Sequence, residues 1–331
     1  MTQTLKEKTV PRRAGKAGGL FRRAVKLLAL TIVIIAGIGG GIFSYYYCSS
    51  RTFKDTVNTV LSRADTPEKA FPGRSGINIL LLGRDLDRDR HGRVVDTHGR
   101  TDAMMLAHID FRNQSADILS IPRDTLAHIP GYKGKRRISY ANALGGPELA
   151  RQTISEFLGI YPDYYLLVNF DGFEKAIDEI GGFEVTVDKR LDYDDDWGNL
   201  HIHLKPGKQM LNGEQSMGFV RYRQSNDGDA ESDFIRIARQ QELLRAARGK
   251  LSTPSVMFRL PKVLDIIRYD MEGNLTPSQI ICLARFTKAL PPESKIRMET
   301  LPALDRSGVF VQADLDATRG LLRQMFFDNQ R

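Results

Sequence analysis

Arg221 and Arg223 stand one residue apart in "FVRYRQ", Phe219 to Gln224. On an extended strand their guanidinium groups point to the same side, because successive side chains alternate faces. Like charges side by side repel, so the arrangement implies an anion opposite them. Similar groups recur where other apolar segments end. Arg84 and Asp85 close "INILLLGRD", Arg123 and Asp124 close "SADILSIPRD", and Arg100 and Asp102 sit in the turn "GRTD". Arg236, Arg239 and Gln240 lie on the stretch that follows "FVRYRQ". Guanidinium forks converging with a few aspartates suit a pyrophosphate held jointly by arginine and a divalent metal. Inert surface Arg–Asp pairing is the competing reading of the same residues.

Such a site needs a scaffold that brings strand ends together. "INILLLGRD" (Ile77–Asp85) is a continuous apolar run with a glycine near its end, the pattern of a strand buried on both faces. "AMMLAHID", "SADILSIPRD", "DYYLLVNF", "FEVTVD" and "KIRMETLP" read as further strands. "GPELARQTISEFLGI" has helical spacing, with Pro147 near its start and Gly159 at its stop. "DGFEKAIDEIGG", "FIRIARQQELLRAARGKL" and the C-terminal "GLLRQMFFD" are also helical in spacing. The alternation predicts an α/β fold, a mixed central β-sheet with helices on both faces (an αβα sandwich). In sheets of this kind, functional groups gather where strands end and loops begin.

The chain has 331 residues, 41% hydrophobic and 27% charged, the composition of a folded globular protein. Its net charge is +8, but residues 1–26 hold eight Lys/Arg against one acid, which leaves the remainder within one charge of neutral. That distribution argues against a phosphate-tracking surface for nucleic acid. Leu27–Tyr47, "LLALTIVIIAGIGGGIFSYYY", contains no charged residue, and its 21 residues reach about 30 Å at about 1.5 Å each. Three tyrosines end the segment, and the basic flank places the N-terminus in the cytoplasm. A cleaved signal peptide has a shorter apolar core and small residues before its cleavage site. The expected organisation is a basic cytoplasmic tail (1–26), a transmembrane helix (27–47), a stalk (48–76) and an extracytoplasmic catalytic domain (77–331). Gly37 and Gly41, four apart, suit either close packing of two anchors or simple tolerance in a membrane helix. Cys48 and Cys282 do not make a disulfide framework, and Cys282 reads as core.

The ordered set "NILLLGRD", "GRTDAMMLAHID", "LSIPRDT", "ALGGPEL", "DYYLLVNFDGFEKAIDEIGG", "LNGEQSMGFVRYR" and "DFIRIARQQ" resembles the LytR-CpsA-Psr family from about Ile77 to Leu251. The resemblance implies a phosphotransferase that uses Mg²⁺, with Mn²⁺ as an alternative. Such proteins move a glycopolymer from a polyprenyl-pyrophosphate carrier onto peptidoglycan or another envelope acceptor. It implies Asp85 and Asp102 as metal ligands, and Arg123, Arg221 and Arg223 as pyrophosphate-binding and catalytic groups. Arg84, Arg100, Arg137, Arg236, Arg239 and Gln240 are the further polar residues expected at the phosphate end. Arg137-Ile138-Ser139 stands where the family often has Lys-Ile-Asn, so the cation is kept and the amide is not. Arg84 stands where a smaller polar residue is common.

Chemically, an attacking sugar hydroxyl displaces the lipid phosphate, and the transition state spreads negative charge over phosphoryl oxygens. Asp85 is a candidate for taking the hydroxyl proton, although a metal ligand serves poorly as a base. A polyprenyl tail needs an apolar slot. "AMMLAHI" and "YYLLVNF" are candidates for lining it, with ordinary core packing the default. The alternatives to a transferase are a polyprenyl-pyrophosphate hydrolase and a non-enzymatic envelope regulator. The other expected partner is membrane lipid, with no nucleic acid. His201 and His203 share a strand face without further zinc ligands at fitting spacing, and read as solvent-facing. The acidic run Asp192–Asp196 lacks the glycine and closing glutamate of an EF-hand loop.

Overall fold

Strand β1 (Gly76–Arg84) pairs antiparallel with β2 (Thr101–Asp110), which pairs antiparallel with β3 (Ser115–Ser120). The computed structural model describes residues 66–84, 98–195, 200–226, 231–251, 254–290, 296–305 and 310–327, all within one compact unit, Asp55–Arg331. The expected tail, membrane segment and most of the stalk lie outside the described residues, as does Asp85. Among the described residues no helix is long and apolar enough to cross a membrane.

After β3 come a small hairpin, β4 (Leu126–His128) and β5 (Lys135–Arg137), then α1 (Tyr140–Leu158), β6 (Tyr164–Asn169) and α2 (Phe170–Ile180). Next are β7 (Phe183–Val187), β8 (Leu191–Asp195), β9 (Leu200–Leu204) and β10 (Gly207–Leu211), which lead into α3 (Gly213–Arg221) and α4 (Asp233–Leu251). Helix α5 (Pro254–Asp270), β11 (Met271–Gly273), α6 (Pro277–Ala289) and β12 (Ile296–Thr300) follow. Short strands β13 (Ala303–Asp305) and β14 (Gln312–Ala313) precede α7 (Leu315–Leu322).

The main sheet has the order β11-β6-β1-β2-β3-β12. It is mixed: β1 with β6 and β3 with β12 run parallel, and the other pairs run antiparallel. Period-two alternation sorts its side chains into two layers. Leu80, Leu82, Met104, Leu106 and Leu119 pack on one side with Ala150 and Ile154 of α1 and with Met325 and Phe326 beyond α7. Ile77, Ile79, Ala107, Ile109 and Ala116 pack on the other side with Cys282 of α6. Helices therefore cover both faces, as the strand–helix alternation predicts. A separate core joins α2, β7 to β10, α3 and α4 through Ile177, Val185, Ile202, Phe219 and Leu243.

Two local expectations are corrected. "FVRYRQ" is not a strand. Its first three residues end α3, which begins with a capping box: Asn212 Oδ1 accepts from Gln215 N at 2.8 Å and Gln215 Oε1 accepts from Asn212 N at 3.1 Å. The box satisfies otherwise orphaned amides and nucleates helix over residues with strand-like composition. The second correction concerns α1, which starts at Tyr140, breaks at Gly145 and Gly146 and resumes at Pro147. Gly146 has φ +68°, which favours glycine, and a Cβ there would also crowd the His98 ring at 3.0 Å.

A cavity ending in guanidinium groups

The sheet side that carries Ile77 and Ile79 is not filled by helix along its whole length. Near the ends of β1 and β6 it opens into a cavity of about 650 Å³. Leu81, Met105, Leu166 and Val168 form its floor, and Met217, Val220 and Leu243 come from α3 and α4. Alternation explains the division of labour: Met104 and Leu106 enter the core beneath the sheet, while Met105 between them faces the cavity. Gly83 and Ala103 keep the end of the floor low, and a Cβ at Gly83 would crowd Ala103 Cβ at 3.2 Å. Of the two candidate runs, Ala103, Met105, Leu166, Val168, Asn169 and Phe170 line the cavity, and other members such as Met104, Leu106 and Leu167 pack in the core.

The polar end of the cavity is assembled from distant segments. Arg100 and Asp102 arrive at the start of β2, Arg123 after β3, Arg221 and Arg223 at the end of α3, and Arg236 and Gln240 on α4. Arg221 is the last helical residue of α3, and its guanidinium lies 4.3 Å from the Phe170 ring centroid. Tyr222, the C-cap, turns into the core and is 1% exposed. The arginines flanking it both line the cavity, so the same-side placement expected of a strand is reached by a helix end instead.

Asp102 organises the cluster. Its Oδ1 accepts from Arg123 Nη1 at 2.5 Å and from Arg223 Nη2 at 3.2 Å, and its backbone oxygen accepts from Arg236 Nη2 at 3.4 Å. Arg236 is 4% exposed and also pairs with Asp233 one helical turn earlier. Positive charge is nonetheless in excess. Burial, then the neighbouring charges of Arg236 and Arg123, push Arg223 down to about 10. Arg236 is lowered by burial, with Arg123 adding to the effect against Asp233. Arg123 moves the other way: burial lowers it, but the charge and hydrogen bond of Asp102 outweigh that and raise it. A bound anion would relieve this crowding.

A second, polar cavity of about 380 Å³ shares Arg123, Arg223 and Arg236 with the first. Asp124 lies in its wall, with Oδ2 3.4 Å from Arg123 Nε and Oδ1 3.2 Å from Arg137 Nε. Arg137 therefore borders this second space, and its guanidinium lies 5.0 Å from the Phe310 ring.

Two expected site residues stand apart. Arg239 lines neither cavity. It is 5% exposed, pairs with Glu231 at 2.6 Å, donates to the Tyr222 carbonyl at 3.3 Å and stacks on the Tyr222 ring, so it braces the arginine-bearing turn from behind. Arg84 is opposite Thr101 and Asn169 at the end of β1 and also borders neither space. Phe170 closes the candidate run "YYLLVNF", whereas Asp233 and Phe310 were not singled out from the sequence. Phe170 directly follows Asn169, whose side chain caps α2 by accepting from Gly172 N at 2.7 Å, and that Asn–x–x–Gly start was a usable signal. His201 and His203 face solvent, as expected, opposite Asp194 and Asp192 across the β8–β9 pair. Among the described residues no group of three His, Cys, Asp or Glu side chains is placed to hold a metal ion.

Fold and site together define a mixed α/β sandwich in which an apolar cavity ends at clustered guanidinium groups. The chain belongs to the LytR_cpsA_psr family, whose profile matches residues 43–319. It is 38% identical over 206 residues to the regulatory protein MsrR of Staphylococcus aureus (strain COL), a match spanning 62% of this chain and 58% of that protein's length. It is 29% identical over 284 residues, 84% of this chain and 86% of the other, to Bacillus subtilis (strain 168) TagT, a polyisoprenyl-teichoic acid–peptidoglycan teichoic acid transferase. Among solved structures, B. subtilis TagV superposes with a TM-score of 0.61 at 27% identity, over 76% of this chain and 97% of that one. A structure of TagT bound to LI-WTA gives a TM-score of 0.60 at 26% identity, over 77% and 90% of the two chains.

Proposed function

We propose that this protein is a phosphotransferase that moves a glycopolymer from a polyprenyl-pyrophosphate carrier onto peptidoglycan or another envelope acceptor. One observation carries the reading: an apolar cavity of about 650 Å³ runs into Arg100, Arg123, Arg221, Arg223 and Arg236. A molecule with a hydrocarbon tail and a diphosphate head matches both halves at once. The similarity to TagT, a transferase by name, and to a structure of TagT bound to LI-WTA supports the same substrate class.

In this reading the isoprenoid occupies the space above Met105, Leu166 and Val168, and the pyrophosphate meets the arginines. Arg123 and Arg223, pre-oriented by Asp102, neutralise the phosphoryl oxygens as charge builds in the transition state. Mg²⁺ is the proposed cofactor, held by Asp85 and Asp102 with oxygens of the substrate, and Mn²⁺ is an alternative. Of that pair only Asp102 is among the described residues; both of its guanidinium contacts use Oδ1, and Oδ2 takes part in neither. Bound there, the ion would add Lewis-acid stabilisation of the phosphoryl group. Membrane anchoring by residues 27–47, with the catalytic domain outside the cytoplasm, brings the site to a lipid-linked donor.

A regulator is the reading that the name MsrR invites, and a hydrolase is the reading in which water replaces the acceptor. Prepared excess positive charge beside an apolar slot favours chemistry on a lipid pyrophosphate over a purely regulatory role. The full-length protein in detergent, given lipid-pyrophosphate-linked oligosaccharide and Mg²⁺, is expected to form glycan–peptidoglycan product only when peptidoglycan is added. Release of phosphorylated sugar at the same rate without peptidoglycan would instead establish the hydrolase.

A further inference from the structure

We propose that the second cavity, on the polar side of the arginine cluster, seats the acceptor sugar, with Phe310 as its platform and Asp233 as the group that takes the hydroxyl proton. The proposal rests on the transferase reading and assigns a place to the partner that reading leaves without one.

The two cavities have three lining residues in common, Arg123, Arg223 and Arg236. A phosphoryl group held by these guanidiniums borders both spaces. Their other walls differ in chemistry. The larger space is floored by aliphatic side chains and suits hydrocarbon, whereas the smaller one offers Asp124, Arg137, Ser232 and Asp233. Carboxylates, a hydroxyl and guanidinium groups match the hydroxyls of a sugar, and Tyr222, Phe234 and Val311 complete the wall with apolar surface that a sugar's C–H groups can meet. At about 380 Å³ the cavity falls within the range of small-ligand clefts, about 300–1,000 Å³.

Two details point to a ligand here. Arg236 is 4% exposed, yet its Nε is buried with no hydrogen-bond partner, and so is Asp233 Oδ2. Buried unsatisfied polar groups are costly, so a small shift of the Asp233 side chain that presents Oδ2 to a bound hydroxyl is favoured. The second detail is Phe310, which lies outside the lining but next in sequence to the lining residue Val311; it is 50% exposed and its ring centroid is 5.0 Å from the guanidinium of Arg137, itself held by Asp124 at 3.2 Å. An exposed aromatic face beside fixed polar groups suits the apolar C–H face of a pyranose.

The step balances as follows. The acceptor hydroxyl oxygen forms a bond to the sugar-bearing phosphorus, and the bond from that phosphorus to the polyprenyl-phosphate oxygen breaks. Polyprenyl phosphate leaves along the apolar cavity, and the hydroxyl proton passes to Asp233 Oδ2. This frees Asp85 from serving as both metal ligand and base.

The test uses full-length protein in detergent, a lipid-pyrophosphate-linked disaccharide as donor and soluble peptidoglycan oligosaccharides as acceptor. Phe310→Ala is expected to raise the acceptor KM by roughly 2- to 10-fold, the range of one lost aromatic contact, with donor Kd unchanged. Ser232→Trp, which fills the polar cavity, is expected to abolish transfer while donor binding and thermal unfolding stay near wild type. Unchanged acceptor kinetics in both variants overturn the proposal and leave the transferase reading standing. A weakened donor Kd with an unchanged acceptor KM also overturns it, by giving the space to the donor's own sugar. A wild-type protein that neither binds donor nor transfers would defeat the transferase reading itself, and this assignment with it.

Discussion

Arg223 donates to Asp102 across 121 residues of chain, Nη2 to Oδ1 at 3.2 Å. The same oxygen accepts from Arg123 at 2.5 Å, so one carboxylate oxygen orients two guanidiniums that otherwise repel. Asp102→Asn removes the only full negative charge in that contact. Unfolding in urea is expected to show a loss of about 1–2 kcal/mol, modest because all three side chains are partly exposed. Added inorganic pyrophosphate should raise Tm more in the variant than in wild type, because the anion replaces the missing charge. An equal or smaller gain would mean that Asp102 does not balance the cluster.

Arg123→Ala and Arg223→Ala each remove charge-assisted bonds to the diphosphate. Donor affinity is expected to fall at least about tenfold, the equivalent of one such bond at about 1.5–3 kcal/mol. Arg239→Ala should behave differently. It strips one of the two partners of Glu231, leaving Lys189 at 2.9 Å, and is expected to cost about 1–3 kcal/mol of stability, with donor binding per folded molecule largely kept. Titration calorimetry alongside urea unfolding separates the two kinds of loss, and equal donor Kd values in all three variants would contradict the division.

Met105→Trp and Val168→Trp narrow the apolar cavity without touching the arginines. Each is expected to weaken binding of a long-chain polyprenyl pyrophosphate severalfold and to leave inorganic pyrophosphate affinity unchanged. Competition binding with pyrophosphates of increasing chain length reads this directly. A uniform loss across all lengths would place the lipid elsewhere.

His203 sits between two aspartates, Nδ1 2.6 Å from Asp192 and Nε2 3.2 Å from Asp194, and their hydrogen bonds and charges raise its pKa. A histidine whose folded pKa is raised adds stability that is fully present below the unfolded value, about 6.5, and is lost as pH climbs through the folded one. Protection factors in the β8–β9 pair, which correct for the intrinsic pH dependence of amide exchange, should therefore be higher at pH 6 than at pH 8. The imidazole should titrate above about 6.5 by NMR. Asp192→Asn is expected to lower that midpoint, and an unchanged value would show that the cross-strand pairing is not maintained in solution.

Much of the scaffold was legible because its strands are apolar runs closed by glycine or charge, as in Ile77–Arg84, and because α2 keeps helical spacing up to its stop at Gly181. Local signals were also overridden. "FVRYRQ" has strand composition, but the Asn212–Gln215 box upstream commits its first half to helix. Arginine counting could not separate Arg239 from Arg236, since only the folded chain shows that Glu231 neutralises the one and that the other faces the cavity. Nor does period-two alternation say whether a buried face meets a helix or an empty slot. Met104 and Met105 look alike in sequence and differ in what lies opposite them.

The wide sequence spacing of the arginine cradle has a consequence for how the protein is made. Segments near residues 102, 123, 223 and 236 must all be brought together before the cradle exists, so no short fragment can carry it. Closing loops of that length slows folding, and until Asp102 is in place the converging cations oppose the last steps. A substrate head group that recognises only the finished arrangement would therefore act as a thermodynamic clamp on the native state, in proportion to its concentration over its Kd.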